Sequence, residues 1–412
     1  MNRTGRWVLL GLLIAAGVLN YADRQIIAVL KPLLEREWGW SDQDYGVLAS
    51  IFQFSAAAAY LGAGWFVDKV GLRWGNPVAV GVWSLAAMAH TVVRSFGQFV
   101  AARVALGASE AIYTPAAVKT VAAYYPPHER AITLGALNAA NNLGAIVTPL
   151  VIPWLALTFG WRAAFLVLGG LGLAWAVAWF PLAFRRFERP TPEAAARAAP
   201  APRVSWREAL SDRRTWAIMG AKAFSDQVWW FLLFWAPDLF HREFHLGLAQ
   251  LGAPLAIIYA CAAVGSLSGG YISDRLMDLG LSLDRARKLT LLGCALLVAP
   301  VPLIVAVHSY WLAVALLGLT LAAHQGFSTN IFALITDITP ARRVGTVTSL
   351  GALSGNLAGM SVLAAAGFVL SHGGGYLPFL LLIACAYLLA LGWIQLLQPR
   401  LVPADPMEAS GG

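Results

Sequence analysis

The sequence predicts an all-α polytopic membrane protein, with roughly twelve membrane-spanning helices arranged as two halves of six. Three observations carry that prediction. Of 412 residues, 59% are hydrophobic and only 12% are charged, too few charges to cover a soluble protein of this length. Apolar runs of about 18 residues or more recur from end to end, each able to cross a hydrocarbon core of roughly 30 Å. Finally, the basic residues fall in alternate loops. Arg3, Arg6, Lys69, Arg73, Arg130, the run from 185 to 214, the cluster from 275 to 288, Arg342, Arg343 and Arg400 form one set. The intervening loops hold only Lys31, Arg36, Arg94, Arg162 and Arg242. This positive-inside bias places both termini in the cytoplasm of a cell (inner) membrane. The net charge of +8 therefore reports topology, and no nucleic-acid partner is expected.

The expected spans follow the apolar runs between loop signals: 7–30, 45–67, 76–93, 98–124, 131–157, 161–183, 214–239, 248–272, 289–307, 310–335, 344–370 and 376–397. The first is closed by Lys31-Pro32, since proline breaks the helical hydrogen-bond ladder. Arg3 and Arg6 ahead of it mimic the basic start of a signal peptide, but no small-residue cleavage site follows. The longest polar interruption, FRRFERPTPEAAARAAPAPRVSWREALSDR, is rich in Pro, Ala and Arg and has no sustained apolar face. It divides the chain into an N-terminal six-helix bundle at 1–183, a cytoplasmic linker at 184–212, and a C-terminal bundle with a short cytoplasmic tail at 213–412.

Other classes find little support. Cys261, Cys294 and Cys385 stand singly in apolar helix, giving neither a disulfide framework nor metal-ligand spacing. His241 and His245 have i,i+4 spacing, but Glu243 between them is misplaced for a zinc-hydrolase motif. There is no nucleophile–base pair or phosphate loop, so neither an enzyme nor a bound metal or cofactor is expected.

The two halves resemble each other. GWFVDKVGLRW at 64–74 follows the second span, and GYISDRLMDLG at 270–280 follows the eighth. Both read Gly-x-x-x-Asp-Lys/Arg, an internal repeat half a chain apart. Parallel repeats of six helices point to a transporter with its site near the membrane midplane.

GWFVDKVGLRW resembles the signature loop of the major facilitator superfamily, and FVAARVALGASEA at 99–111 resembles that superfamily's fourth-helix pattern. NYADR (20–24), GASEAIYTPAAVKTVAAYYPPHERA (107–131), AKAFSDQVWWFLLFWAPDLF (221–240) and AAHQGFSTNIFALITD (322–337) are similar to the anion:cation symporter family, and within it to hexuronate (glucuronate/galacturonate) transporters. The resemblance covers nearly the whole chain apart from the linker and tail. It implies the major facilitator fold and a proton-coupled symporter importing an organic anion by alternating access. Such a protein is expected to work as a monomer in the lipid bilayer, with a proton as its only coupling ion.

Ionisable side chains inside spans are costly and each needs a reason. The bases are Arg24, Arg103, Lys119 and Lys222; the acids are Asp23, Glu110, Asp226 and Asp337. Asp23 and Arg24 are neighbours, so on a helix they diverge by about 100° and each looks for a partner elsewhere. Either they form structural ion bridges, or Arg24 clamps a substrate carboxylate with its planar fork while Asp23 accepts a proton. Glu110 lies two turns after Arg103 among small residues. It is either a permanent partner of Arg103 or, as the resemblance implies, a proton-coupling group. Lys222 either pairs locally with Asp226 at i+4 or is the second half's counterpart of Arg24.

A sugar acid also carries hydroxyls that need partners once dehydrated. Tyr21, Gln53, Asn141, Gln227, His324, Gln325, Ser328 and Asn356 are polar points in apolar helices, serving either substrate or helix contacts. The substrate-binding set is read as Arg24, Lys222, Tyr21, Gln53, Asn141, Trp229, Trp230, His324, Gln325 and Asn356, with Asp23 and Glu110 coupling the proton. Where some relatives carry a tyrosine in the second helix, this chain has Ala56, a departure that bears on substrate identity. Asp68, Lys69, Arg73, Asp274 and Arg275 in the repeated loops are read as gating residues. Competing readings are a transporter of another carboxylate (aldonate, aldarate or aromatic acid), a drug/proton antiporter and a transporter-like sensor.

Overall fold

The computed structural model describes residues 3–184, 206–340 and 343–403. The linker expectation for 185–205, the tail from 404 and Arg342 lie outside the described residues. Nine helices among the described residues are long and apolar enough to cross a membrane. Many large apolar side chains face outward, such as Val92 (73% exposed), Val177 (70%) and Leu267 (79%), as suits a lipid-facing exterior and not a watery one.

The chain divides into two compact units, one of Met1–Ala199 with Leu246–Ala256 and the other of Pro200–His245 with Ile257–Gly412. The first unit is built on α1 (Arg3–Trp38), α2 (Asp42–Val70), α3 (Leu72–Ala89), α4 (Phe96–Glu110), α5 (Tyr113–Tyr124), α6 (Pro127–Phe159) and α7 (Trp161–Trp179). Contrary to expectation, α1 does not stop at Lys31-Pro32 but carries Pro32 inside it. Proline forfeits one rung of the ladder, which membrane helices tolerate. The Lys31 ammonium is satisfied by Asp42 Oδ1 at 2.8 Å and Glu35 Oε1 at 2.6 Å, so a charge at that point does not end the helix.

α2 starts on a reciprocal cap: the Asp44 amide donates to Ser41 Oγ at 3.2 Å, and the Ser41 amide donates to Asp44 Oδ2 at 2.9 Å. It ends at Gly71, whose φ of 78° lets the chain turn directly into α3 at a conformation side chains resist. The expected span 98–124 is two helices. Pro115 in the first turn of α5 has no N–H to offer the Ala111 carbonyl. Ser109 Oγ donates back to the carbonyls of Ala105 (2.7 Å) and Leu106 (3.0 Å), which favours bending. Glu110 is the last residue before that break.

The second unit comprises the short α8 (Trp206–Leu210), α9 (Arg213–Phe244), most of α10 (Gly252–Asp278), α11 (Leu283–Val298), α12 (Tyr310–Ile338), α13 (Val344–Ser371) and α14 (Leu377–Leu397). The expected span 289–307 starts earlier, at Leu283, and leaves α-helical geometry at Val298 for a 3₁₀ stretch, Val301–Ala306. Pro300, with no N–H, stands at that change.

Candidate functional site

In the first unit, α1 and α4 bring their charges together. Arg24 Nε donates to Glu110 Oε2 at 2.8 Å, with the Arg24 side chain 7% exposed and that of Glu110 0%. The guanidinium carbon stands 5.5 Å from the Tyr21 ring centroid and 5.7 Å from that of Phe52. Two aromatic faces and one carboxylate thus hold the fork. The close approach of α4 to α2 depends on Gly107, where a Cβ would meet the Phe52 carbonyl oxygen at 2.5 Å. The partner of Glu110 is therefore Arg24, and the alternative of a permanent bond to Arg103 does not hold.

Asp23 departs from expectation: both its carboxylate oxygens are buried with no hydrogen-bond partner. It lies within electrostatic range of Glu110 and Arg103. Arg103 itself is fully buried, and among the described residues its three guanidinium nitrogens also lack hydrogen-bond partners; the Phe52 ring stands 5.3 Å away, and Glu110, Tyr45 and Asp23 lie within electrostatic range. From sequence, Arg103 is expected only as a candidate ion partner of Glu110, a bond the structure does not make. The mutual orientation that makes it matter is set by packing across three helices.

Asn141 on α6 faces α1 at Gly17, where a Cβ would lie 3.1 Å from its Oδ1 and 2.6 Å from the Tyr113 hydroxyl. That hydroxyl donates to the Leu13 carbonyl at 2.9 Å. Gln53 is buried on α2. Asn141 and Gln53 share the unit with the charged cluster.

In the second unit, Lys222 Nζ pairs with Asp226 Oδ2 at 2.8 Å, one turn along α9, and lies 4.5 Å from the Phe332 ring centroid. Here the local pair is the one observed. Lys222, Asp226 and Trp230 form an i,i+4,i+8 row along α9, opposed by Gly351, Gly355 and Gly359 on α13. A Cβ at 351 would stand 3.3 Å from Lys222 Cγ, and Cβ atoms at 355 and 359 would strike Asp226 and Trp230. The G-x-x-x-G-x-x-x-G spacing was visible in the sequence, but nothing in it names the opposing row.

The adjacent row holds Trp229, stacked on His324 of α12 with ring centroids 5.5 Å apart and planes 18° apart. His324 Nδ1 is 2.8 Å from the Tyr387 hydroxyl on α14. Tyr387 was not singled out, since a tyrosine in apolar helix reads as packing. Gln325 and Asn356 are half-buried on α12 and α13.

The gating candidates find partners in their own units. Asp68 pairs with Lys119, whose ammonium also reaches the Gly64 carbonyl at 3.3 Å. Lys69 lies 4.8 Å from the Trp65 ring, while Arg73 offers its carbonyl to the Trp179 indole at 3.0 Å. In the second unit the hub is Arg287. It donates to Asp337 Oδ2 (2.9 Å), Ser273 Oγ (2.9 Å) and Asn330 Oδ1 (3.3 Å), with Asp274 at 3.6 Å. Arg275 lies at 3.9 Å from Asp278, a long contact. Among the described residues no group of three or more His, Cys, Asp or Glu side chains could hold a metal.

The model of the Major Facilitator Superfamily matches residues 13–282. The chain belongs to that superfamily. Among its relatives is a probable L-galactonate transporter of Escherichia coli (strain K12), 29% identical over 350 residues, covering 82% of this chain and 77% of the relative. A hexuronate transporter of the same organism is 26% identical over 369 residues, covering 86% and 85%. Among solved structures, an inward-facing, occupied bacterial homolog of the human lysosomal transporter Spinster superposes with a TM-score of 0.78 at 18% identity, covering 98% of this chain and 100% of that one. A D-xylose-proton symporter gives 0.72 at 13% identity, covering 96% and 98%. The likeness to the two solved structures speaks to the fold alone; membership of the superfamily makes the chain a multi-pass membrane protein.

Proposed function

We propose that this major facilitator protein is a proton-coupled symporter that imports a hydroxylated organic anion, a hexuronate or related sugar acid, by alternating access. The observation that carries the reading is the buried Arg24–Glu110 pair. A substrate carboxylate offers Arg24 the same two-oxygen partner as Glu110, and does so bidentately. Anion and glutamate therefore compete for one guanidinium. Protonation of Glu110 releases Arg24 to the substrate; deprotonation on the cytoplasmic side reclaims it and expels the anion. Asp23 is the second proton site, and Lys222 with Asp226 is the corresponding cation and carboxylate of the second half. Tyr21, Gln53, Asn141, Trp229, Trp230, His324, Gln325 and Asn356 serve the hydroxylated body, and the repeated-loop residues gate. The protein acts as a monomer with both termini in the cytoplasm, the orientation the basic loops favour.

One proton with one monoanion is electroneutral; a second adds about 2.3 kcal/mol per 100 mV of membrane potential. An aldonate is the competing substrate, favoured by the galactonate transporter among the relatives. Uptake of labelled D-glucuronate, D-galacturonate, D-galactonate and L-galactonate into proteoliposomes tests the reading. Saturable entry of at least one of them, faster with an acidic exterior, is expected. No flux of any of the four, with binding retained, would point to a sensor instead.

A further inference from the structure

Tyr387 sits on α14 with 0% exposure, and His324 on α12 with 3%. Their 2.8 Å contact joins the tyrosine hydroxyl to Nδ1, and among the described residues the hydroxyl has no second hydrogen-bond partner. A neutral imidazole carries one N–H and one bare nitrogen, and the bond at one nitrogen settles which is which. If Nδ1 carried the hydrogen and donated to the tyrosine, the phenolic O–H would be left buried with no acceptor, which costs a full desolvation penalty. If the phenol donates to a bare Nδ1, both groups are satisfied, and the ring's hydrogen lies on Nε2. Among the described residues Nε2 makes no hydrogen bond, yet it is not one of the polar atoms sealed off without a partner. It is therefore the atom of the ring available to a ligand.

The ring cannot easily turn away from that arrangement. Trp229 covers one face in a near-parallel stack, and Tyr387 is in turn wedged edge-on against Phe327, with centroids 5.1 Å apart at 74°. The cluster is electrically continuous with the charged row of α9: His324 lies within range of Lys222, and Tyr387 within range of Asp226. A donor fixed beside a cation suits an anion whose body carries oxygen acceptors, and it distinguishes acids by where those oxygens stand.

We infer that Tyr387 is a positioning residue for substrate selectivity: by donating to Nδ1 of His324 it fixes the tautomer in which Nε2–H faces a hydroxyl or ring oxygen of the sugar acid. This rests on the reading that His324 contacts substrate. Removing the tyrosine hydroxyl leaves Nδ1 without its donor, so the ring exchanges tautomers and its donor edge is present only part of the time. Acids that use that edge lose binding; acids that do not are unaffected. The carboxylate clamp is untouched.

The wild-type protein supplies the first test, because nitrogen-15 NMR of labelled histidine reads the tautomer directly. A protonated Nε2 and bare Nδ1 at His324 are expected; the reverse overturns the inference. The second test is transport of D-glucuronate, D-galacturonate, D-galactonate and L-galactonate by Tyr387→Phe, His324→Gln and the double variant. Tyr387→Phe should raise the half-saturation of the best acid about tenfold, the size of one lost hydrogen bond, while leaving its maximal rate within about twofold and shifting the poorest acid little. The double variant should be no worse than His324→Gln alone. An equal shift for all four acids, or additive losses in the double variant, would overturn the role. If His324→Gln moves selectivity and Tyr387→Phe does not, this inference fails while His324 remains in the site. If His324→Gln moves nothing, both fail together.

Discussion

Arg24 on α1 and Glu110 on α4 stand 86 positions apart in sequence, yet the Nε–H of one donates to Oε2 of the other at 2.8 Å, in a buried setting. Burial makes that bond consequential. An exposed pair would add little to stability, but here each charge depends on the other for the energy lost on leaving water. Removing Arg24 takes from Glu110 the cation it is bonded to.

Arg24→Gln should therefore destabilise the protein by about 3–5 kcal/mol, the usual consequence of leaving one buried charge unpaired. Arg24→Gln combined with Glu110→Gln should regain most of that loss without restoring transport. Thermal unfolding in detergent, read beside uptake, checks both statements. Equal melting temperatures for the single and double variants would contradict them.

Asp23 and Arg103 are buried with oxygens and nitrogens that make no hydrogen bond among the described residues. Buried polar groups in this condition are normally satisfied by ordered water. A high-resolution structure should show water density within hydrogen-bond distance of the Asp23 carboxylate and the Arg103 guanidinium. A dry, apolar environment around both would remove Asp23 as a second proton site.

The glycine row of α13 makes a separate prediction. Gly355→Val would drive a side chain into Asp226 and separate α13 from α9, costing about 1–3 kcal/mol by overpacking and disturbing the Lys222–Asp226 pair. Gly345→Ala, where nothing lies within 4 Å of the new Cβ, is the matched control and should melt unchanged. Equal effects at the two positions would show that the row does not set the helix spacing.

Two arginines of the second unit are predicted to differ in weight. Arg287, with an 8% exposed side chain, ties α10, α11 and α12 together, so Arg287→Ala should cost about 3 kcal/mol. Arg275, 59% exposed, should cost no more than about 0.5 kcal/mol on substitution by alanine. If Arg275→Ala instead changes transport rate with stability intact, its role is gating, as the repeat suggested.

Much of this was legible because charge in apolar helix is conspicuous. Asp23, Arg24, Glu110 and Lys222 stood out on composition alone. Their partners did not, since Arg24 meets Glu110 only through the packing of α1 on α4, a contact with no local signature. Lys222 was the exception: its partner lies one turn away, and i,i+4 spacing names it. The break after Glu110 was written in Pro115 and Ser109, yet the apolar run across it reads as one span, because hydropathy averages over the missing hydrogen bonds. The same averaging hid the end of α11, while Lys31 misled in the other direction, since its carboxylate partners let a helix pass through a charge. Tyr387 could not be found at all from sequence. Its significance lies in one hydroxyl meeting one ring nitrogen, 63 residues away.

The central claim is that Glu110 and the substrate carboxylate compete for Arg24, with a proton deciding the contest. Glu110→Gln removes the titrating competitor while keeping a neutral side chain of the same shape, so it is the most direct probe. In proteoliposomes the variant should still exchange labelled for unlabelled sugar acid, while an imposed acidic exterior no longer accelerates uptake. Uptake by Glu110→Gln that keeps the wild-type dependence on external pH would contradict the account.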